Sequence, residues 1–341
     1  MIAEVSIPLD DDALDKSSYD SKKQEFGGFA EQQPAAKIDI ITRICHDGEV
    51  NRARFCPQQP NIIATKTPNK TGAYVYIFDY LRKQSENQEG VSEPILKLKG
   101  HQKEGYGLSW SAADEGVIAS AGDDKRVCVW KINAKSASAA AGSSVVNPIA
   151  VFEDHEDIVE DTCFSKHHGS LLASVSDDKH IRLFDLRTQK ATSKILGHKA
   201  EINSCDFSPF NEFILATSSA DKLVKLWDIR NMKLEMHALD SHTDEVFSVS
   251  WSPCNETILA SCGADRRVMV WDIARIGETQ MTEDAEDGPP ELLFIHGGHT
   301  SKISDFSWNS NPGMEWLMAS VAEDNILQVW QMVRVCLHRA P

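Results

Sequence analysis

The chain is short of positive charge. It carries 35 lysines and arginines against 51 acidic residues, a formal net charge of −16. Phosphate recognition needs clustered Lys and Arg, so the overall field is not expected to hold nucleic acid, and a basic partner suits it better. No basic run reads as a nuclear-localisation segment. No apolar stretch reaches the ~18–20 residues a membrane span needs. Met1 to Pro8 lacks the basic-then-apolar order of a secretory signal. The Asn-x-Thr triplets at Asn69 and Asn255 are therefore read as chance. The eight cysteines (Cys45, Cys56, Cys128, Cys163, Cys205, Cys254, Cys262 and Cys336) include no CxxC pair. Scattered through apolar runs, they read as buried free thiols in a reducing compartment rather than a disulfide framework. No Gly-rich phosphate loop occurs, because EFGGF at Glu25 to Phe29 lacks the lysine and following helix of such a loop. Cys163, His167 and His168 lack a second ligand pair. Neither metal nor cofactor is expected.

What is present repeats. Six histidines are each followed nine residues later by Phe or Trp: His46 and Phe55, His101 and Trp110, His155 and Phe164, His198 and Phe207, His242 and Trp251, His299 and Trp308. After each comes an apolar strand (IIAT, VIASA, LLASV, FILATSS, TILASCG, LMASV). A tight turn follows, then a strand ending in an aromatic (VYIFDY, VCVWKI, IRLFDLR, VKLWDIR, VMVWDIA, LQVWQM). Short strands at regular spacing indicate an all-β repeat fold. His followed by Trp-Asp at a period of ~40–45 residues is the WD-repeat signature. The expected fold is a WD-repeat β-propeller, because one four-stranded sheet cannot bury both faces and blades stacked around an axis can. Inserts at Arg82–Glu93, Ala134–Val146 and around Glu283–Pro290 read as surface loops.

Every repeat offers His, Ser or Thr, and Asp. Asp124, Asp178, Asp221, Asp265 and Asp324 each stand six residues before the aromatic of the third strand. A nucleophilic site is unique, whereas a recurring set is architecture. These residues are expected to form a hydrogen-bonded network with the strand Ser/Thr and the indole. Repeat one has Gly72 at the Asp position, so a looser turn is expected there. No enzyme is expected.

Aligned on the histidine, the third following residue is Glu49, Glu104, Ile158, Glu201, Glu245 and Lys302. The fifth is Asn51, Tyr106, Glu160, Asn203, Phe247 and Ser304. Both positions fall where each repeat enters its innermost strand, and strand alternation would place them on one face. The repeat thus sets a carboxylate-rich ring at one mouth of the central channel, with Asp177 and Glu323 adding to it. Such a ring suits cationic peptides, through charge-assisted hydrogen bonds and aromatic contacts to alkyl stems.

The segments EFGGF, GEVNRARF, IIATKTP, GHQKEGYGLSW, EFILATSSADK, NETILASCGADRR, EDAEDGPPELLFIHGGHT and ISDFSWN resemble the retinoblastoma-binding, histone-chaperone family of WD-repeat proteins, from about Ala3 to Met332. That family supplies the small subunit of chromatin assembly factor, and subunits of nucleosome-remodelling, histone-deacetylase and Polycomb-type complexes. The resemblance implies a nuclear, non-catalytic protein with two sites. One takes the amino-terminal tail of a core histone, and carried over residue by residue it comprises Glu49, Asn51, Glu104, Tyr106, Glu160, Asp177, Glu201, Asn203, Glu245, Phe247, Lys302 and Glu323. The other takes a histone helix at the acidic Pro-Pro loop, here Asp284, Asp287, Gly288, Pro289 and Pro290.

The resemblance also implies a seven-bladed type, of which six repeats are recognisable here. Relatives place a long helix and several strands ahead of the point matching Ala3. This chain offers one strand at Glu4–Pro8 and a second at Ile38–Cys45. The expected organisation is a partial first blade and loop over 1–45, six WD repeats over 46–332, and a divergent tail over 333–341. An incomplete closing region with exposed sheet edges is expected, as is a helix-binding site weaker than the channel site. The alternative is a generic WD-repeat interaction scaffold or substrate receptor with no histone role.

Overall fold

The computed structural model describes residues 2–6, 19–20, 25–26, 37–44, 46, 48–68, 74–81, 94–133, 144–281, 284–311 and 313–332. Gly72, Cys45, Cys336, Glu283, the 82–93 insert, residues 134–143, most of EFGGF and the 333–341 tail lie outside the described residues. The chain divides into two compact units: residues 1–47 with 80–92, and residues 48–79 with 93–341.

In the smaller unit, Ile2–Ser6 pairs antiparallel with Lys37–Thr42. Both strands lie a little upstream of the spans expected from sequence. A second, two-residue pairing joins Tyr19–Asp20 to Glu25–Phe26.

The larger unit is an all-β propeller of six blades. Its innermost strands are Arg52–Cys56, Leu108–Trp110, Val159–Phe164, Ile202–Phe207, Val246–Trp251 and Ile303–Trp308. Each continues outward by antiparallel hairpins. Second and third strands are buried along most of their length in blades two to five. Blades cover both of their faces, which is why these strands read as continuous apolar and Ser/Thr/Cys runs rather than alternating ones.

One feature differs from expectation, and a second concerns the closing edge. Ser144–Val146, read as part of a loop, pairs parallel with Leu96–Leu98 and gives blade one a fifth strand. Blade six has three strands among the described residues, so the Leu327–Gln331 edge carries no fourth strand there.

The blades are joined by a repeating polar link between innermost strands. Trp110, Trp251 and Trp308 each donate their indole N–H to the preceding blade, to the carbonyls of Arg54 (3.1 Å), Asp206 (3.1 Å) and Ser250 (3.2 Å). The Phe164 amide donates to Ser109 Oγ (3.3 Å), and Ser204 Oγ donates to Asp161 (2.8 Å). Blade one meets blade six through an ion pair, Arg54 Nη2 to Asp305 Oδ2 at 3.0 Å.

Among the described residues, apolar packing does not go full circle. Five core clusters fill the junctions from blades one–two through blades five–six. At the sixth junction the equivalent positions stand open. Val50, Phe55, Val321 and Leu327 are exposed, and Phe55 is 57% exposed where Phe164 and Phe207 are at most 1%. Phe207→Ala is therefore expected to cost ~3–5 kcal/mol. Phe55→Ala should leave denaturant stability nearly unchanged.

The expected Asp–His–Ser/Thr–Trp network is complete in blades four and five. His198 Nδ1 meets Asp221 at 3.0 Å, and Thr217 Oγ1 joins His198 Nε2 (2.8 Å) to the Trp227 indole (2.9 Å). In blade five the same three links run His242–Asp265 (2.7 Å), His242–Ser261 (2.7 Å) and Trp271–Ser261 (2.8 Å). An indole only donates and a carboxylate only accepts, so the proton order assigns a neutral imidazole carrying its hydrogen on Nδ1. Burial lowers the His198 pKa in keeping with that.

Each blade departs as its residues dictate. Blade three has Phe184 in place of the indole, and His155 still joins Ser174 to Asp178. In blade two His101 Nε2 turns to the Ser120 carbonyl and Trp130 donates to Lys99. In blade six Thr300 takes Asp324, and His299 Nδ1 is without a hydrogen-bond partner.

Of the cysteines, Cys56, Cys128, Cys163, Cys205 and Cys262 are buried free thiols. Cys254 is exposed in the turn after the blade-five inner strand, which corrects the expectation for that residue.

Candidate functional site

One hydrogen bond recurs at the channel mouth of blades two to six. The carbonyl of the third residue after the histidine accepts from the amide just before the turn aspartate. The pairs are Glu104 from Asp123 (2.9 Å), Ile158 from Asp177 (3.0 Å), Glu201 from Ala220 (3.0 Å), Glu245 from Ala264 (2.8 Å) and Lys302 from Glu323 (2.9 Å). This bond fixes the two loops of each blade side by side. The turn itself is held by the aspartate, which accepts from the amide two residues on, as Asp178 does from His180 at 2.9 Å.

The fifth position reaches the mouth for a reason the alternation argument misses. The third position precedes the strand. In blades three to six the fifth (Glu160, Asn203, Phe247, Ser304) is the extra residue of a β-bulge. A bulge re-aims the side chain it carries.

In blade two, Tyr106 is flanked by glycines instead. A Cβ on Gly105 would lie 2.6 Å from Gly122 Cα. One on Gly107 would lie 2.6 Å from Ala121 Cβ and 3.1 Å from Asp161 Cα. Gly107→Ala should cost roughly 1–3 kcal/mol through overpacking, read as a lower midpoint in denaturant.

The predicted ring residues are brought to one end of the channel, but their charge is uneven. Asn51 Nδ2 reaches Glu104 Oε2 (3.5 Å) and the Gly105 carbonyl (3.3 Å). Half-buried Glu160 has its pKa pushed up to about 7, by burial first and then by Asp177, Asp123 and Asp161. Asp177 rises to about 6 through burial and the charges of Asp157, Glu201 and Asp123. Tyr106 is raised as well, by burial and then by Glu104 and Glu160. These residues form an acidic arc over blades two to four.

The rest of the ring is weaker. Glu49 and Glu245 are exposed, Asn203 Nδ2 donates to the Val246 carbonyl (2.9 Å), and Phe247 is half-buried. On blade six the Lys302 carbonyl accepts from the Glu323 amide, and this blade brings one residue of each charge sign to the ring.

Four contributors escaped the sequence reading. Asp123 precedes Asp124 as Asp177 precedes Asp178, so the same rule would have found it. Asp157 stands one residue before Ile158 and supplies the charge that Ile158 lacks. Arg52 lies one residue below Asn51. Burial opposes its charge, and Asp305, Asp161 and Glu160 outweigh that and raise its pKa. Lys66 is also buried and donates to the Ala121 carbonyl, and burial brings its pKa down to about 8.

The Pro-Pro loop borders a second concavity of about 450 Å3, lined by Asp287, Gly288 and Pro289 together with Asp240, Glu286, Leu292 and Ile295. Asp284 opens a short 3-10 turn to Glu286, and Pro290 is half-buried beside the lining. Gly288 has φ +132°, and a Cβ there would lie 2.7 Å from Leu292 Cδ2. The loop base is anchored by buried Glu291, whose Oε1 meets His237 Nε2 at 2.8 Å. Among the described residues no group of three or more His, Cys, Asp or Glu is placed to hold a metal. His168 pairs with Glu212 (2.5 Å) and Cys163 with Cys205.

The family model described as WD domain, G-beta repeat matches residues 92–131, 146–185, 189–228, 234–272 and 290–331, together more than half of the chain. The matched segments span blades two to six. Propellers of this kind are in general non-catalytic scaffolds for protein–protein contacts. The chain belongs to the WD-repeat family.

Proposed function

We propose that this propeller is a non-catalytic histone-binding subunit of nuclear chromatin-assembly, remodelling, deacetylase and Polycomb-type complexes. The observation that carries the reading is the acidic arc of Glu104, Asp123, Glu160, Asp177 and Glu201, with Tyr106 at its wall. A lysine or arginine entering it gains charge-assisted hydrogen bonds in a partly desolvated site, with Tyr106 beside the alkyl stem. The Pro-Pro concavity, acidic with an apolar wall of Leu292 and Ile295, suits a basic amphipathic helix. A core-histone tail and a core-histone helix supply these two chemistries.

The competing reading is a scaffold that takes any basic segment. The two are separated by titrating an unmodified core-histone tail peptide and a scrambled peptide of identical composition. A clear preference for the native order supports the histone reading. Equal affinity leaves only the generic one.

A further inference from the structure

Cys163 and Cys205 face one another from the innermost strands of blades three and four, Sγ to Sγ 3.2 Å. The approach is held from both sides. Toward the mouth, Asp161 Oδ2 accepts from Ser204 Oγ (2.8 Å) and from the Cys205 amide (3.3 Å). Away from it, Lys166 Nζ reaches Asp206 Oδ1 at 3.3 Å. These links fix the strand spacing at the sulfurs, and among the described residues no other two cysteine sulfurs meet in this way. We propose that Cys163 and Cys205 form a modification site, a dithiol that a peroxide converts into a disulfide between blades.

The reaction balances with hydrogen peroxide as oxidant. One sulfur, as thiolate, attacks a peroxide oxygen and the O–O bond breaks, leaving a sulfenic acid and a hydroxide that takes up the proton the thiol had released and becomes water. The second sulfur attacks the sulfenic sulfur, the S–S bond forms, and the departing hydroxide leaves as water with the remaining thiol proton. Two thiols lose two electrons and two protons, and the peroxide is reduced to two waters. Both sulfurs are buried, and burial raises both thiol pKa values, so the resting pair is neutral and reacts slowly, as blade contacts open. The bond would tie blade three to blade four three residues below Glu160 and two below Asn203. It would close a long loop and so restrict the unfolded chain.

The site does not depend on what the channel mouth binds, and its test reads sulfur alone. The full chain, reduced and then incubated with hydrogen peroxide, is quenched, denatured, alkylated and mapped by mass spectrometry. The expected product is a Cys163–Cys205 cross-linked peptide two hydrogens lighter than its parts, reversed by dithiothreitol. A higher Tm for the oxidised chain should accompany it and be absent in Cys205→Ser. Oxidation of exposed Cys254 while Cys163 and Cys205 alkylate as free thiols would overturn the proposal. Separate sulfinic or sulfonic acids at the two positions would do the same. If Cys205→Ser does not fold, the wild-type peptide map decides.

Discussion

An Asp221→Ala chain is expected to lose about 1–3 kcal/mol of stability, as leaving buried hydrogen-bond donors unsatisfied does, and to melt several degrees lower. The Asp221 side chain is 7% exposed and that of His198 is fully buried. Burial works against the Asp221 charge, but the hydrogen bond from His198 and those from the Lys199 and Leu223 amides outweigh it and hold its carboxyl well below the usual range. Alanine leaves all three donors unsatisfied at the centre of the blade-four turn. Asp324 occupies the same place in blade six, but Thr300 is its side-chain partner and the His299 Nδ1 link is missing. Asp324→Ala should therefore lower Tm much less. Melting curves followed by circular dichroism on both variants decide it. Equal losses would mean that the network adds nothing beyond the turn.

Binding of a cationic peptide should strengthen as pH rises through about 7 and then level off. Glu160 has a folded pKa of about 7 against an ordinary 4.5. A ligand cation favours the charged form, so binding drives that pKa down and expels a proton. The gain is smallest where Glu160 already holds its proton and complete above about pH 8. The same shift acts oppositely on the free protein. A raised carboxyl contributes stability below its unfolded pKa and loses it as pH rises through about 7. Glu160→Gln should then raise Tm at pH 8 while weakening the peptide by ~2–5 kcal/mol and flattening its pH dependence. Calorimetric titrations across pH 6 to 8 in buffers of different ionisation enthalpy report the released proton directly. An affinity independent of pH in wild type would contradict the assignment.

The blades were legible because their signals are local. The His–aromatic spacing, the turn aspartate and the apolar runs each sit within one repeat, and six copies reinforce one another. The mouth was legible for the same reason, since the third and fifth positions recur. What sequence could not supply depends on contacts between repeats. The β-bulge at Glu160 is a register shift against Ser176 and Val175, invisible without the pairing. Concentration of charge over blades two to four arises from Asp123, Asp157 and Asp177 lying beside Glu160 and Glu201, which no single repeat encodes. The parallel strand at Ser144–Val146 joins a segment following blade two to the sheet of blade one. Its composition carries no periodic signal. The open sixth junction is likewise a property of two blades distant in sequence, marked by the exposure of Phe55 and Leu327.

The most direct test of the acidic arc is a titration of the full chain with an unmodified core-histone tail peptide. It compares wild type, Glu104→Ala/Glu160→Ala and Glu245→Ala, with circular dichroism confirming each fold. The arc predicts saturable binding in wild type, its loss in the double variant, and only a severalfold change in Glu245→Ala. Wild-type affinity in a folded double variant, or no binding by a folded wild-type chain, would contradict it.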